Sequence, residues 1–188
     1  MRLMDHHQLM KYLFVLLISS AASVGYADCP DNPPIMAALN KAYQNLESSK
    51  LPSDSHAVTD KLWRLWTQAP DGKSQRLLNR GMLSIRQGNL QAAEAHLSAL
   101  ITYCPGYAEG HNQRALARYL AFDLEGSLVD LARTLSIQPR HLGALSGKGL
   151  THLALGQEAK AEFFFRKALS LNRFMPERGL IPNLGTDL

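Results

Sequence analysis

The sequence predicts an all-helical stack of antiparallel helix pairs, and three observations predict it. Pro105 and Pro139 lie 34 residues apart, and each closes a stretch of helical hydrophobic pattern. Small residues recur at the same step, as Gly81, Ala115 and Gly149 and again as Ala93, Ser127 and Ala161. Large apolar residues keep the register at Leu97, Leu131 and Phe165, continued by Leu100, Thr134 and Ala168 and by Tyr103, Ile137 and Leu171. Small residues let two helix backbones approach closely, and the larger apolar ones fill the space between successive pairs. One pair alone would leave its apolar face wet, whereas three stacked pairs bury a continuous core.

The chain has 188 residues, of which 46% are apolar and 7% aromatic, enough for one compact domain with a sizeable core. Its first element reads as a targeting segment. Arg2 and Lys11 flank an apolar run from Tyr12 to Val24 that is short for a bilayer span, and Gly25, Tyr26 and Ala27 offer small residues to a signal peptidase. We therefore expect residues 1–27 to be a signal peptide cleaved after Ala27, giving a periplasmic or secreted protein with no membrane span after cleavage. An uncleaved anchor is the alternative. A lipid on Cys29 is disfavoured because Asp28, not a small residue, precedes it. Cleavage leaves 18 basic and 15 acidic side chains, scattered rather than blocked. No helix clusters Lys and Arg or interleaves them with stacking aromatics, which argues against a nucleic-acid partner. Both cysteines, Cys29 and Cys104, survive cleavage; in an oxidising compartment we expect them joined, with buried or free thiols as the alternative.

Residues 28–73 follow as an N-terminal helical cap. Pro33 and Pro34 open a helical stretch from Ile35 to about Glu47, and Ser53 or Asp54 is placed to cap a second helix carrying Leu62, Trp63, Leu65 and Trp66. Pro70 ends that helix 35 residues before Pro105, so Asp31 to Pro70 reads as a degenerate pair capping the array. Residues 74–173 hold the three periodic units. In the tail, 174–188, Pro176, Gly179, Pro182 and Gly185 break any helix, and a loop is expected.

The periodic positions resemble the tetratricopeptide repeat, whose unit is two antiparallel helices with small residues at their crossing and a proline after the second. The third unit is the best match, through Gly149, Gly156, Ala161, Phe165 and Ala168. It departs from the pattern in having Arg173 for the closing proline; the second unit has Phe122 where a turn glycine is usual, and no unit carries the early aromatic of the first helix. The resemblance implies a right-handed superhelical stack of about three units plus the degenerate pair. The stretches Tyr107 to Ala115 and Gln138 to Leu145 also look like segments of short exported repeat proteins of proteobacteria.

Chemistry has little to work with. His56, His96, His111, His141 and His152 show no metal-ligand spacing, and no hydrolase elbow, phosphate loop or metalloprotease motif occurs. The carboxylates Glu109, Asp123, Glu125 and Asp130 fit exposed helix ends and turns. We expect no enzyme, no cofactor and no metal. The resemblance instead implies a concave face lined by the first helices, contributed by Gln75, Leu78, Asn79, Met82, Ile85 and Arg86, then by Glu109, Asn112, Gln113, Leu116 and Tyr119, then by Ser146, Leu150 and Leu153. Members that grip a terminal carboxylate crowd Lys, Arg and Asn into this face; Asn79 and Asn112 are here, but the cations largely are not. Met82, Leu116 and Leu150 form an apolar series at the repeat step, suited to a helix or apolar peptide. The expected function is a protein-binding module in envelope assembly or maturation, holding a peptide or helix of a partner. The alternative is a structural subunit that self-associates or joins an envelope complex, and the groove can also meet the protein's own termini.

Overall fold

The computed structural model describes residues 29–30 and 33–181. Among these, eight α-helices follow one another: α1 (Pro33–Glu47), α2 (Pro52–Trp66), α3 (Gly72–Arg86), α4 (Leu90–Tyr103), α5 (Ala108–Leu120), α6 (Leu124–Ile137), α7 (Leu142–Ala154) and α8 (Glu158–Leu171), then a 3-10 helix at Pro176–Leu180. No strand occurs among the described residues. The expected signal peptide, residues 1–27, and residues 182–188 of the expected loop lie outside them.

Each periodic unit is a helix pair, and its turn is written in the local sequence. Chain reversal after α3, α5 and α7 uses the same closing motif, in which the amide three positions past the helix returns to a carbonyl of the last turn: Asn89 to Ser84, Asp123 to Arg118 and Gln157 to His152. The residue just before that amide must be left-handed. Gly88 and Gly156 take φ of 71° and 69° without strain, and Phe122 is forced to 61°. Asn89 and Asp123 then cap the second helices through Ala92 N–H and Gly126 N–H. At the other end, Cys104 and Gln138 close α4 and α6 immediately before Pro105 and Pro139, which cannot continue a helix.

The periodic residues lie where helices cross. A Cβ on Gly81 would overlap the Leu97 side chain and one on Gly149 would overlap the Phe165 ring, while Ala115 shares a buried cluster with Leu131. Ala93, Ser127 and Ala161, and Leu100, Thr134 and Ala168, are all buried. The short side chain on the first helix therefore sets how closely the second can lie, and the largest partner, Phe165, faces a residue with no side chain at all.

The N-terminal pair packs differently from its expected place at the end of the stack. Leu39, Ala42, Tyr43 and Leu46 of α1, with Leu62 and Trp66 of α2, share one core with Leu142, Leu145 and Ala168 of the third unit. The contacts fall where first helices begin and second helices end, so the pair lies along that edge as a strap. Near the start of α2, the Ser55 hydroxyl donates to Asn172 Oδ1 at 2.7 Å. Near its end, Trp66 stacks on His141 with ring centroids 4.1 Å apart, and the Tyr107 hydroxyl donates to the Trp66 carbonyl at 2.5 Å. The strap returns to the first unit through Asp71, which accepts from Tyr103 at 2.6 Å, and through a Cys29–Cys104 disulfide. Helix α2 begins at Pro52 with Leu51 as its N-cap and no side-chain capping bond, so Ser53 and Asp54 sit inside the first turn instead of capping it. Proline suits that first position because its missing N–H has no helical partner there.

Candidate functional site

The residues expected on the inner face of α3, α5 and α7 divide into a polar set toward the start of these helices and an apolar set toward their ends. At the polar end the side chains satisfy one another. Asn79 is exposed and accepts from Gln75, whose amide also donates to the Thr67 carbonyl. Asn112 and Gln113 both donate to the Glu109 carboxylate, Gln113 at 2.5 Å and from a buried position. Ser146 is buried and donates to Glu177 of the 3-10 helix. These residues position the chain's own segments.

Glu109 and Asp130, expected at exposed helix ends, are each only 1% exposed. Glu109 stands in the first turn of α5, where unpaired amides favour a negative charge, and accepts from His141 Nε2 at 2.9 Å. His141 is wholly buried and caps α7: its Nδ1 accepts the Ala144 N–H, so the proton sits on Nε2 and the ring is neutral. Burial, and after it the charge on Glu109, push the Tyr107 phenol far up, keeping its proton for Trp66. Asp130 takes a two-pronged contact from Arg114 at 2.8 and 2.7 Å and a third bond from Arg118 at 3.0 Å. The same arginines reach back to Ser98 and Glu94 on α4. Burial works to raise the Asp130 carboxyl, but the hydrogen bonds from Arg114, the His111 ring 3.6 Å away and the two guanidinium charges together hold it below the usual carboxylate range. Both carboxylates escaped the sequence reading for one reason. Their counterparts one repeat away, Gln75 and Gly143 for Glu109 and His96 and Phe164 for Asp130, are not acidic, so no periodic signal marks them.

The apolar end lies toward the C-termini of the first helices. Leu116 is 41% exposed and Leu153 39%, with Leu83 and Leu120 similarly open beside them. Tyr119 is half-buried and Arg86 exposed. Met82 is half-buried against the cluster holding Leu78 and Leu97. Leu150 is half-buried too, packed with Phe165, Leu169 and Ile181, so the returning C-terminal segment covers that member of the series. The structure therefore brings Leu116, Tyr119, Leu120 and Leu153 to an open surface while Asn112, Gln113 and Leu150 serve internal contacts. Among the described residues no group of three His, Cys, Asp or Glu side chains could hold a metal ion.

Comparison with known proteins follows this geometry. Residues 142–174, which span α7 and α8, match the family model of the tetratricopeptide repeat. A TPR repeat-containing protein of Rhizobium etli is 27% identical over 109 residues, 58% of this chain and 53% of the relative, so the chain spans about half the length of the curated relative it matches. Two crystal structures of MamA superpose with a TM-score of 0.51, one at 21% identity over 81% of this chain and 80% of that one, the other at 23% identity over 90% and 96%. At those identities the likeness concerns fold alone. The repeat match on the third unit, the repeat-bearing relative and the shared helical architecture agree with the helix pairs described above: residues 142–174 match the tetratricopeptide repeat, and the chain as a whole is similar to proteins built from it.

Proposed function

We propose that the protein is a non-catalytic binding module that holds a helix or other apolar segment of a partner polypeptide against the open ends of α5 and α7, in an envelope compartment reached through its N-terminal segment. This reading rests on Leu116, Leu120 and Leu153, apolar and open to solvent on the first helices of two successive units, while α1 and α2 pack against Leu142, Leu145 and Ala168 instead. Burying such side chains is favourable by about 25 cal/mol per Å² of apolar surface, so a few of them suffice to orient a peptide. Two features support the compartment: the Cys29–Cys104 bond suits an oxidising environment, and no helix among the described residues is long and apolar enough to cross a membrane.

Leu116→Glu tests it. A carboxylate at a position already open to water should leave the melting temperature within a few degrees of the parent's, whereas desolvating it under an apolar partner costs more than burying an unpaired neutral polar group, itself roughly 2–7 kcal/mol. Affinity capture from native envelope extract should then recover from the parent a protein that the variant does not retain. Normal capture by a folded variant would move the interface to another face. A doubled mass for the purified parent, lost in the variant, would mean that these leucines mate with a second copy.

A further inference from the structure

A second surface has the makings of a site, on the far side of the third unit from the strap's disulfide. Between the end of α6, the start of α7 and the flank of α8 lies a cleft of about 330 Å³, at the lower end of the size range of ligand pockets. Its floor is apolar, formed by Leu135, Leu145, Phe164 and Leu171, and Arg140 and Lys167 stand at its rim. Lys148 of α7 is not part of the lining but lies beside it, over the ring of Phe164. Its Nζ lies 4.7 Å from the centroid of Phe164, while Lys167 Nζ lies 4.5 Å from that of Phe163, and the two rings meet edge to face at 5.1 Å. The two ammonium groups thus bracket one aromatic pair.

The geometry points to a binding site in this cleft for an acidic segment of a partner polypeptide that places an apolar side chain on the floor and its carboxylates between Lys148 and Lys167. Charge complementarity selects this occupant. Arg140 already leans on Glu47 at 3.8 Å and Arg166 on Glu162 at 2.7 Å, but among the described residues neither lysine has a carboxylate within ion-pair distance. Their repulsion is real: burial, and after it the charge on Lys167, hold the Lys148 ammonium below its ordinary range. A bound carboxylate relieves both effects. Aromatic faces beneath the ammonium groups hold them in place without neutralising them. An aliphatic side chain on the floor then excludes water from the ion pairs, strengthening them. Arg140 is held at the cleft by α1, bonded to Asn40 and lying over Tyr43, and a recess with a fixed cation suits an inserted side chain better than a flat bilayer.

The test uses a dye-labelled octapeptide alternating Asp and Glu with Leu and Phe, a control with Lys in place of every acid, and vesicles containing phosphatidylglycerol. Fluorescence anisotropy should show the acidic peptide binding the parent, weakening by about tenfold or more in Lys148→Gln/Lys167→Gln, and weakening as salt rises. Glutamine keeps most of each stem, and a circular-dichroism melt on the double variant checks that the fold is intact. Leu116→Glu should bind the acidic peptide like the parent, separating this cleft from the inner face. The proposal is overturned if the acidic peptide binds no tighter than the basic control, if the double variant binds within about twofold of the parent, or if Leu116→Glu abolishes binding. Vesicle binding that needs both lysines, with no peptide binding, overturns it in favour of a membrane surface.

Discussion

Phe122 holds a left-handed backbone that its counterparts leave to glycine, and it does so with its ring 87% exposed. A side chain in that region costs roughly 1–2 kcal/mol, and glycine there costs about 0.5–1 kcal/mol in unfolded-state entropy, so Phe122→Gly should stabilise by about 0.5–1 kcal/mol. The midpoint of a urea melt reads this directly, and a fall in stability would show that the ring packs on the turn. A second side chain sets the acid behaviour. The hydrogen bond from Tyr103, then those from Ser74, hold the Asp71 carboxyl at about 2 against an ordinary 3.8. A carboxyl depressed in the folded state stabilises above its unfolded pKa, and the contribution disappears as pH falls through about 4 toward about 2. Tyr103→Phe should therefore raise the Asp71 pKa and flatten that part of the acid limb, which carboxyl titration by NMR can follow. Of these two side chains, Phe122 was legible as a departure from the repeat, because the turn position is fixed by period. The Tyr103–Asp71 bond was not, since it joins residues 32 apart on different helices.

Helix α5 is held between its neighbours by more than apolar contact. Arg114 and Arg118 project from it to α4 on one side and to Asp130 on the other, so the junction of the first and second units is an ion network around a buried carboxylate. Removing one partner of a buried pair leaves charge uncompensated, and Asp130→Ala should cost about 3–5 kcal/mol. Because the Asp130 carboxyl is held below its ordinary range, the parent loses this contribution on acidification below about pH 4 and the variant has none to lose. Their stabilities, measured by denaturant titration, should therefore converge toward low pH. At this scale the sequence was most informative: crossings, turns and helix ends all follow the repeat and could be placed from it. The two buried carboxylates could not, because a network that occurs in one unit alone has no period.

The strap of α1 and α2 changes the character of the whole array. A Cys104→Ser, Cys29→Ser protein should lose about 4 kcal/mol in the chain-entropy account of a closed loop whose ends are 75 residues apart, a change that thermal melts with and without reductant would detect. The helices of the strap were legible, through their prolines and apolar spacing, but their berth was not. No hydrophobic period records that Trp66 will lie on His141, and a helix pair upstream of a repeat is most simply read as one more unit. In an open stack each unit touches only its neighbours, and order can begin anywhere and spread. Here Ser55 meets Asn172, 117 residues further on, so α1 and α2 wait for the third unit. Until α7 and α8 exist, Leu39, Tyr43, Leu62 and Trp66 lack the Leu142, Leu145 and Ala168 side chains that complete their core, and the nascent chain carries a partly open apolar patch through synthesis. Docking of the strap is thus timed by the third unit: a ribosome-stalled chain lacking α7 and α8 should hold its first two units and leave the strap to whichever chaperone reaches it.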